Sequence, residues 1–403
     1  MKEELMEYGT RIHDIHRRER RVLHFMACLA LLSFLSTCTA ADTAAQRASR
    51  AAAAKGDILI GAGGPWSSAM GKTMWEGMEL AIEEINARGG IGGRTLKVIK
   101  GDDQSSVDVG RMVAQSFVDN PDMVAVIGHL DSFVSLPNSI MYEYHGMLML
   151  SPRSTAPRLT KQGFQRVFRT VSNDDLYGAV LARFAAGHNL KKIMIYQAKN
   201  EYGTGLANAF EKECEALEIE VPDRIAYDSG SDAATFRRDL QYWMANFSFD
   251  GIFAAGSIPQ LPSFIAEARG LGIRVPIMAG EGLDTPEFVN LAGKAAEGTF
   301  IASEFMPEDP RTETRKFVSA FHRKFGRVPD TNAAKGYDTV HVLAAAIEEA
   351  GSTIPDRIAE ALRKKVDWIG AAGSYRFDAD GDLVGRNILI KVVRDGKLEK
   401  YPE

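Results

Sequence analysis

The chain has 403 residues, 45% of them hydrophobic and 25% charged, with a formal net charge of −5. That is the make-up of a globular protein with too many residues for one small core, so two domains are expected. Neither a basic groove nor a Lys/Arg-lined helix is present, which excludes a nucleic-acid partner.

Arg17, Arg18, Arg20 and Arg21 precede the apolar run Val22 to Leu35, and "STCTAA" follows it, which is the layout of an export signal over residues 1–40. The run is shorter than the roughly 20 residues that a membrane-spanning helix needs. "LSTC" resembles a lipobox with Cys38 as the acylated residue, although Thr37 stands where that pattern prefers Gly, Ala or Ser. The alternative is cleavage near Ala40 and release into the periplasm. Residues 41–56 are Ala-rich without an apolar stripe and read as a linker or frayed helix. Cysteines stand only at 28, 38 and 214, which leaves the mature chain no intramolecular disulfide to form.

From Asp57 onward, short apolar runs alternate with helical patterns. The first run, "ILIGAG" from Ile58, leads into "GAGGPWSSAMGKT", a loop that invites a nucleotide reading. Both a Walker loop and a dinucleotide fingerprint require glycine where Trp66 stands, and an indole fills the space a phosphate would occupy. Next come a helix with Met74, Met78, Ala81, Ile82 and Ile85 on its inner face, a strand "LKVIK" from Leu96, and a helix striped by Val109, Met112, Val113 and Phe117. "MVAVIG", "KIMIYQ", "GIFAAG" and "TFIASE" are further strands whose unbroken apolarity suits a sheet covered on both faces. Asp284-Thr285-Pro286 reads as a cap with proline in the first turn, and Phe317, Phe321 and Phe325 form one face of a helix closed by Gly326. "RFDADGDLVG", Arg376 to Gly385, lacks the closing glutamate of a calcium loop and reads as a turn between strands.

Alternation of this kind predicts an α/β fold with parallel sheets and right-handed crossovers, its ligands held in the loops at the carboxyl ends of strands. No G-x-S-x-G elbow, H-E-x-x-H helix or C-x-x-C pair occurs, and no histidine beyond residue 40 has a partner at helical ligand spacing. Neither a catalytic centre nor a metal or other cofactor is expected.

Three loops resemble a known family together: Ala125 to Thr160, Asn200 to Phe210 and "MAGEGLDTPEF" from Met278. In order and spacing they are similar to the leucine/isoleucine/valine-binding proteins of bacterial amino-acid ABC transporters, with the likeness running from about Asp57 to the C-terminus. The resemblance implies a type I periplasmic binding fold, two similar Rossmann-like lobes joined by a three-crossover hinge. Lobe 1 would comprise 57–172 plus 305–376, and lobe 2 173–304 plus 377–403. It further implies a monomer that traps an amino acid or related carboxylate and delivers it to a membrane permease; the alternative is a sensor of the same fold that signals to a membrane partner.

Carried over by that likeness, Ser132 and Thr155 would bond the ligand's carboxylate and amine, Glu281 would take the ammonium and Tyr202 would cover the side chain. Ser154 lies in the same loop as Thr155. Trp66 and Met70 would be walls, with Ser67 or Ser68 as polar contacts. Met70 and Ser257 replace aromatics usual in that family, and Arg153 stands where small residues are usual. Arg153 either forks onto an acidic group of the ligand, or pairs with Asp131 or Glu281, or reaches solvent.

Overall fold

A computed structural model describes residues 43–364 and 366–402; the expected export signal and Cys38 lie outside them. The first sheet is entirely parallel, in the order β2-β1-β3-β4-β5. Its strands are β1 (Ile58–Gly64), β2 (Leu96–Asp102), β3 (Met123–Ile127), β4 (Leu148–Ser151) and β5 (Val167–Arg169). The second sheet runs β14-β13-β10-β9-β8-β6-β7, with β6 (Ile193–Ala198), β7 (Arg224–Tyr227), β8 (Gly251–Ala255), β9 (Ile277–Ala279) and β10 (Thr299–Ser303) parallel to one another. β13 (Leu389–Arg394) and β14 (Lys397–Lys400) close its edge as an antiparallel hairpin. A small ribbon pairs β11 (Trp368–Ile369) with β12 (Ser374–Tyr375). All six runs read as strands coincide with strands; helices on both faces bury the central residues of five of them, while β2 at the sheet edge is largely exposed.

The helix α2 (Ala69–Ala87) turns Met74, Met78, Ala81 and Ile85 inward, as its stripe predicts. In α3 (Val107–Val118) the stripe is rotated from the expectation. Met112 is 64% exposed, and Gly110, Ala114, Phe117 and Val118 form the buried face. The cause is close packing on α4 (Ser132–Tyr144): a Cβ at Gly110 would stand 2.5 Å from Val134 Cγ1, so the smallest residues face inward. The phenylalanine helix α10 (Thr312–Phe325) ends at Gly326 with φ +72°, the left-handed closure a glycine permits. In the turn at Arg376 to Gly385, the Asp378 carboxylate accepts from the N–H groups of Asp380 and Asp382, and Asp382 pairs with Arg169.

Residues 43–53, read as a linker or frayed helix, form a docked helix, α1. Arg47, 2% exposed, donates to the carbonyls of Val118, Asn120, Met123 and His145. Ala44 presses on Gly146, where a Cβ would lie 2.6 Å from the Ala44 methyl. The hydrophobic stripe is short because a buried guanidinium does the docking.

After β10 the chain returns to the first sheet. There α11 (Thr331–Ala350) packs on α2, and α12 (Pro355–Lys364) joins the core beneath β1. Phe377 and Leu383, assigned to the second lobe on sequence, pack in this first core. The segments linking the two sheets converge on Glu304. Its carboxylate accepts from Ser172 N at 2.9 Å and Ser172 Oγ at 2.5 Å, with Lys335 Nζ at 3.7 Å and Arg386 Nε at 3.9 Å.

Candidate functional site

Two loops of the first sheet build one wall of the cleft. Beyond β3 the chain enters α4 through Asp131, whose side chain does not cap the helix. Its carboxylate is turned away, accepting from Ser105 Oγ at 2.7 Å and from Arg153 Nη1 at 3.2 Å. The first turn of α4 thus keeps backbone donors free of a side-chain cap, an arrangement that suits an anion. Ser132, 2% exposed, accepts from Ala156 N at 3.3 Å, which leaves its hydroxyl hydrogen for another acceptor.

Beyond β4, the loop holding Arg153, Ser154 and Thr155 is buried throughout. Ser154 is spent internally: its hydroxyl meets Ser135 Oγ and the carbonyls of His129 and Leu130. The Thr155 hydroxyl, fully buried, has no hydrogen-bonding partner among the described residues.

The opposite wall belongs to the second sheet. β9 ends in a single 3₁₀ turn, Glu281–Leu283, and Glu281 is 6% exposed there. Its Oε2 accepts from Tyr202 Oη at 2.7 Å, and that phenol oxygen accepts from Gly282 N at 3.2 Å. Tyr202 stands in the first turn of α6 (Glu201–Ala216). Glycine is required at 282, since a Cβ would lie 2.3 Å from Gly256 O and 3.0 Å from Ser257 Cβ. Ser257, Gly282, Tyr202 and Glu281 therefore form one surface.

Asp174, the first residue of α5 (Asp174–Gly187), joins the two walls and was not foreseen. Its N–H donates to Thr155 O at 2.9 Å, its side chain is fully buried, and neither carboxylate oxygen has a hydrogen bond among the described residues. Burial pushes this carboxyl well above the ordinary range and the nearby charge of Glu281 adds to the push. In sequence, an acid one residue after the cap Asn173 looks like ordinary helix-dipole decoration, so only its burial could mark it. Asp174, Glu281 and the Thr155 hydroxyl make a dry, acceptor-rich point that calls for a cation.

The remaining candidates divide. Arg153, 7% exposed, bonds Asp131 and brings Nη2 to 3.5 Å from Met70 Sδ, so Met70 lies beside the guanidinium. Trp66 is turned into first-lobe packing: its N–H donates to Ala62 O at 3.1 Å and its ring meets Trp75 edge-on at 5.7 Å. Ser68 caps α2 through Gly71 N, and exposed Ser67 donates to Asp102. Among the described residues no group of three or more His, Cys, Asp or Glu is placed to hold a metal ion, and no helix is long and apolar enough to cross a membrane.

Residues 58–397 match the model of a family described as periplasmic binding protein. The chain belongs to the periplasmic binding protein family. A Leu/Ile/Val-binding protein homologue of Brucella abortus is 31% identical over 355 residues, covering 86% of this chain and 92% of that protein. A leucine-, isoleucine-, valine-, threonine- and alanine-binding protein of Pseudomonas aeruginosa is 30% identical, covering 76% of this chain and 81% of its own length. Among solved structures, an ABC transporter substrate-binding protein from Desulfitobacterium hafniense in complex with Leu is 38% identical with a TM-score of 0.76, covering 86% of this chain and all of that one. A leucine-binding protein from Thermotoga maritima is 30% identical with a TM-score of 0.81, covering 86% and 98%. These similarities establish for this periplasmic binding protein the two-sheet α/β architecture that the loops implied.

Proposed function

We propose that this periplasmic binding protein is an exported carrier that closes its two lobes around a free amino acid or related carboxylate and hands it to the permease of an ABC transporter. The observation that carries this reading is the buried trio of Thr155 hydroxyl, Asp174 and Glu281, acceptors with unspent capacity gathered where the two walls meet. An ammonium group satisfies all three, and the uncapped start of α4 with the Ser132 hydroxyl accommodates the carboxylate on the same ligand carbon. Leucine and isoleucine complexes among the structural neighbours support an amino-acid ligand.

No chemical step is involved. A ligand touching both walls has more favourable contacts in the closed form, and that difference alone shifts the open–closed equilibrium. The transporter then reads the closed pair of lobes.

Calorimetric titration of the purified protein with a panel of amino acids tests the reading. The best ligand should bind Thr155→Ala and Glu281→Gln at least about tenfold more weakly, the scale of losing one hydrogen bond to a charged group. Equal affinity in both variants would remove the cleft from consideration.

A further inference from the structure

We infer that Arg153 sets the side-chain preference of the cleft, which favours amino acids carrying an acceptor oxygen at the side-chain tip, an amide or a carboxylate, over branched aliphatic ones. The inference rests on the amino-acid reading above.

Arg153 is almost fully buried, yet the protein satisfies it thinly. Asp131 offers it a single oxygen at 3.2 Å, because the other oxygen is held by Ser105. The only further hydrogen-bonding contact among the described residues is the soft thioether of Met70 at 3.5 Å. A guanidinium has five N–H groups, so Nε and one hydrogen on each terminal nitrogen have no partner among the described residues. These donors belong to a permanently charged group in the loop that also carries Thr155.

The charge reaches across the cleft. Burial drives the Tyr202 phenol upward, with Glu281 and Asp174 adding to it, whereas Arg153 pulls it down from the opposite wall. An aliphatic side chain lodged at this corner would seal three donors from water without replacing their hydrogen bonds. An acceptor oxygen takes two of them in the fork geometry of arginine. Because Asp174 and Glu281 add negative charge on the opposite wall, and Asp131 already pairs with Arg153, an uncharged amide meets less repulsion than a carboxylate.

Titration of the full chain with glutamine, glutamate, leucine and valine decides the matter. Glutamine should bind at least about tenfold tighter than leucine, with glutamate between them, and Arg153→Met should reduce that ratio to about twofold or less while keeping or improving leucine binding. Leucine or valine binding the native protein as tightly as glutamine, with Arg153→Met leaving the order unchanged, would overturn the inference and leave the amino-acid reading standing. Binding of no amino acid at all would take down both. Should Arg153→Met fail to fold, Asp131→Asn serves: releasing Nη1 and removing a competing charge should raise glutamate affinity, and unchanged affinity counts against the role of Arg153.

Discussion

Asp174 should couple binding of a cationic ligand to proton release. Burial raises its carboxyl above the ordinary range, which favours the protonated form in the window between the two. An ammonium beside it favours the ionised form, so binding should expel a proton and tighten as pH rises through that window. Calorimetry in buffers of different ionisation enthalpy would show the release, and Asp174→Asn should abolish it while weakening affinity. Stability carries the matching sign. A group whose native value is raised contributes fully below its unfolded value and loses that contribution as pH rises, so ligand-free melting points should decline across the window in the native protein and stay flat in Asp174→Asn. At this scale Glu281, Thr155 and Tyr202 were singled out as candidates by loops whose order resembles a family, and all three are buried or half-buried, whereas Asp174 looked like any acid in a first helical turn. Nothing local distinguishes a buried carboxylate from an exposed one.

The helix α1 depends on one side chain. Arg47 answers four backbone carbonyls, three of them spanning the end of α3, the turn after it and the start of β3, and burial pulls its guanidinium down to about 10 even with Asp122 pushing the other way. Arg47→Ala should therefore destabilise the fold by about 3 kcal/mol, the range in which several buried acceptors lose a charged donor. Denaturant unfolding would measure it, and hydrogen exchange should show early opening of residues 118–123. The Ala-rich sequence hides this docking, since pattern reading weighs apolar periodicity and the anchor here is polar. The α3 stripe misled for a related reason: Val109, Met112, Val113 and Phe117 have helical spacing, but the small residues Gly110 and Ala114 determine how near α4 can come.

Across the protein as a whole, the segments connecting the two sheets meet at Glu304. Burial alone would raise its carboxyl, but Lys335, Arg386 and Ser172 outweigh that and hold it below the ordinary range. Its stabilising contribution is therefore present at neutral pH and is lost as pH falls through the lowered value. Glu304→Gln leaves two buried cations without their anion and should cost about 3 kcal/mol or more, flattening the acid limb of the stability curve. Chemical denaturation at pH 7 and at pH 4 would reveal both effects, and an unchanged acid limb would show that Glu304 is not the group responsible.

Six strands, the helix end at Gly326 and the helix start at Thr285 were set by the sequence alone, because alternation, capping and turn chemistry act over a few neighbouring residues, whereas the loops carrying Ser132, Thr155 and Glu281 stood out through their resemblance to a family. Tertiary structure decided which polar groups lost water: the side-chain oxygens of Asp174 and Thr155 buried with no hydrogen-bond partner among the described residues, Ser154 consumed by its own loop, Trp66 drawn toward Trp75, and Arg47 made into an anchor. Those outcomes depend on residues tens of positions away, and desolvation, unlike periodicity, is a property of the assembled molecule.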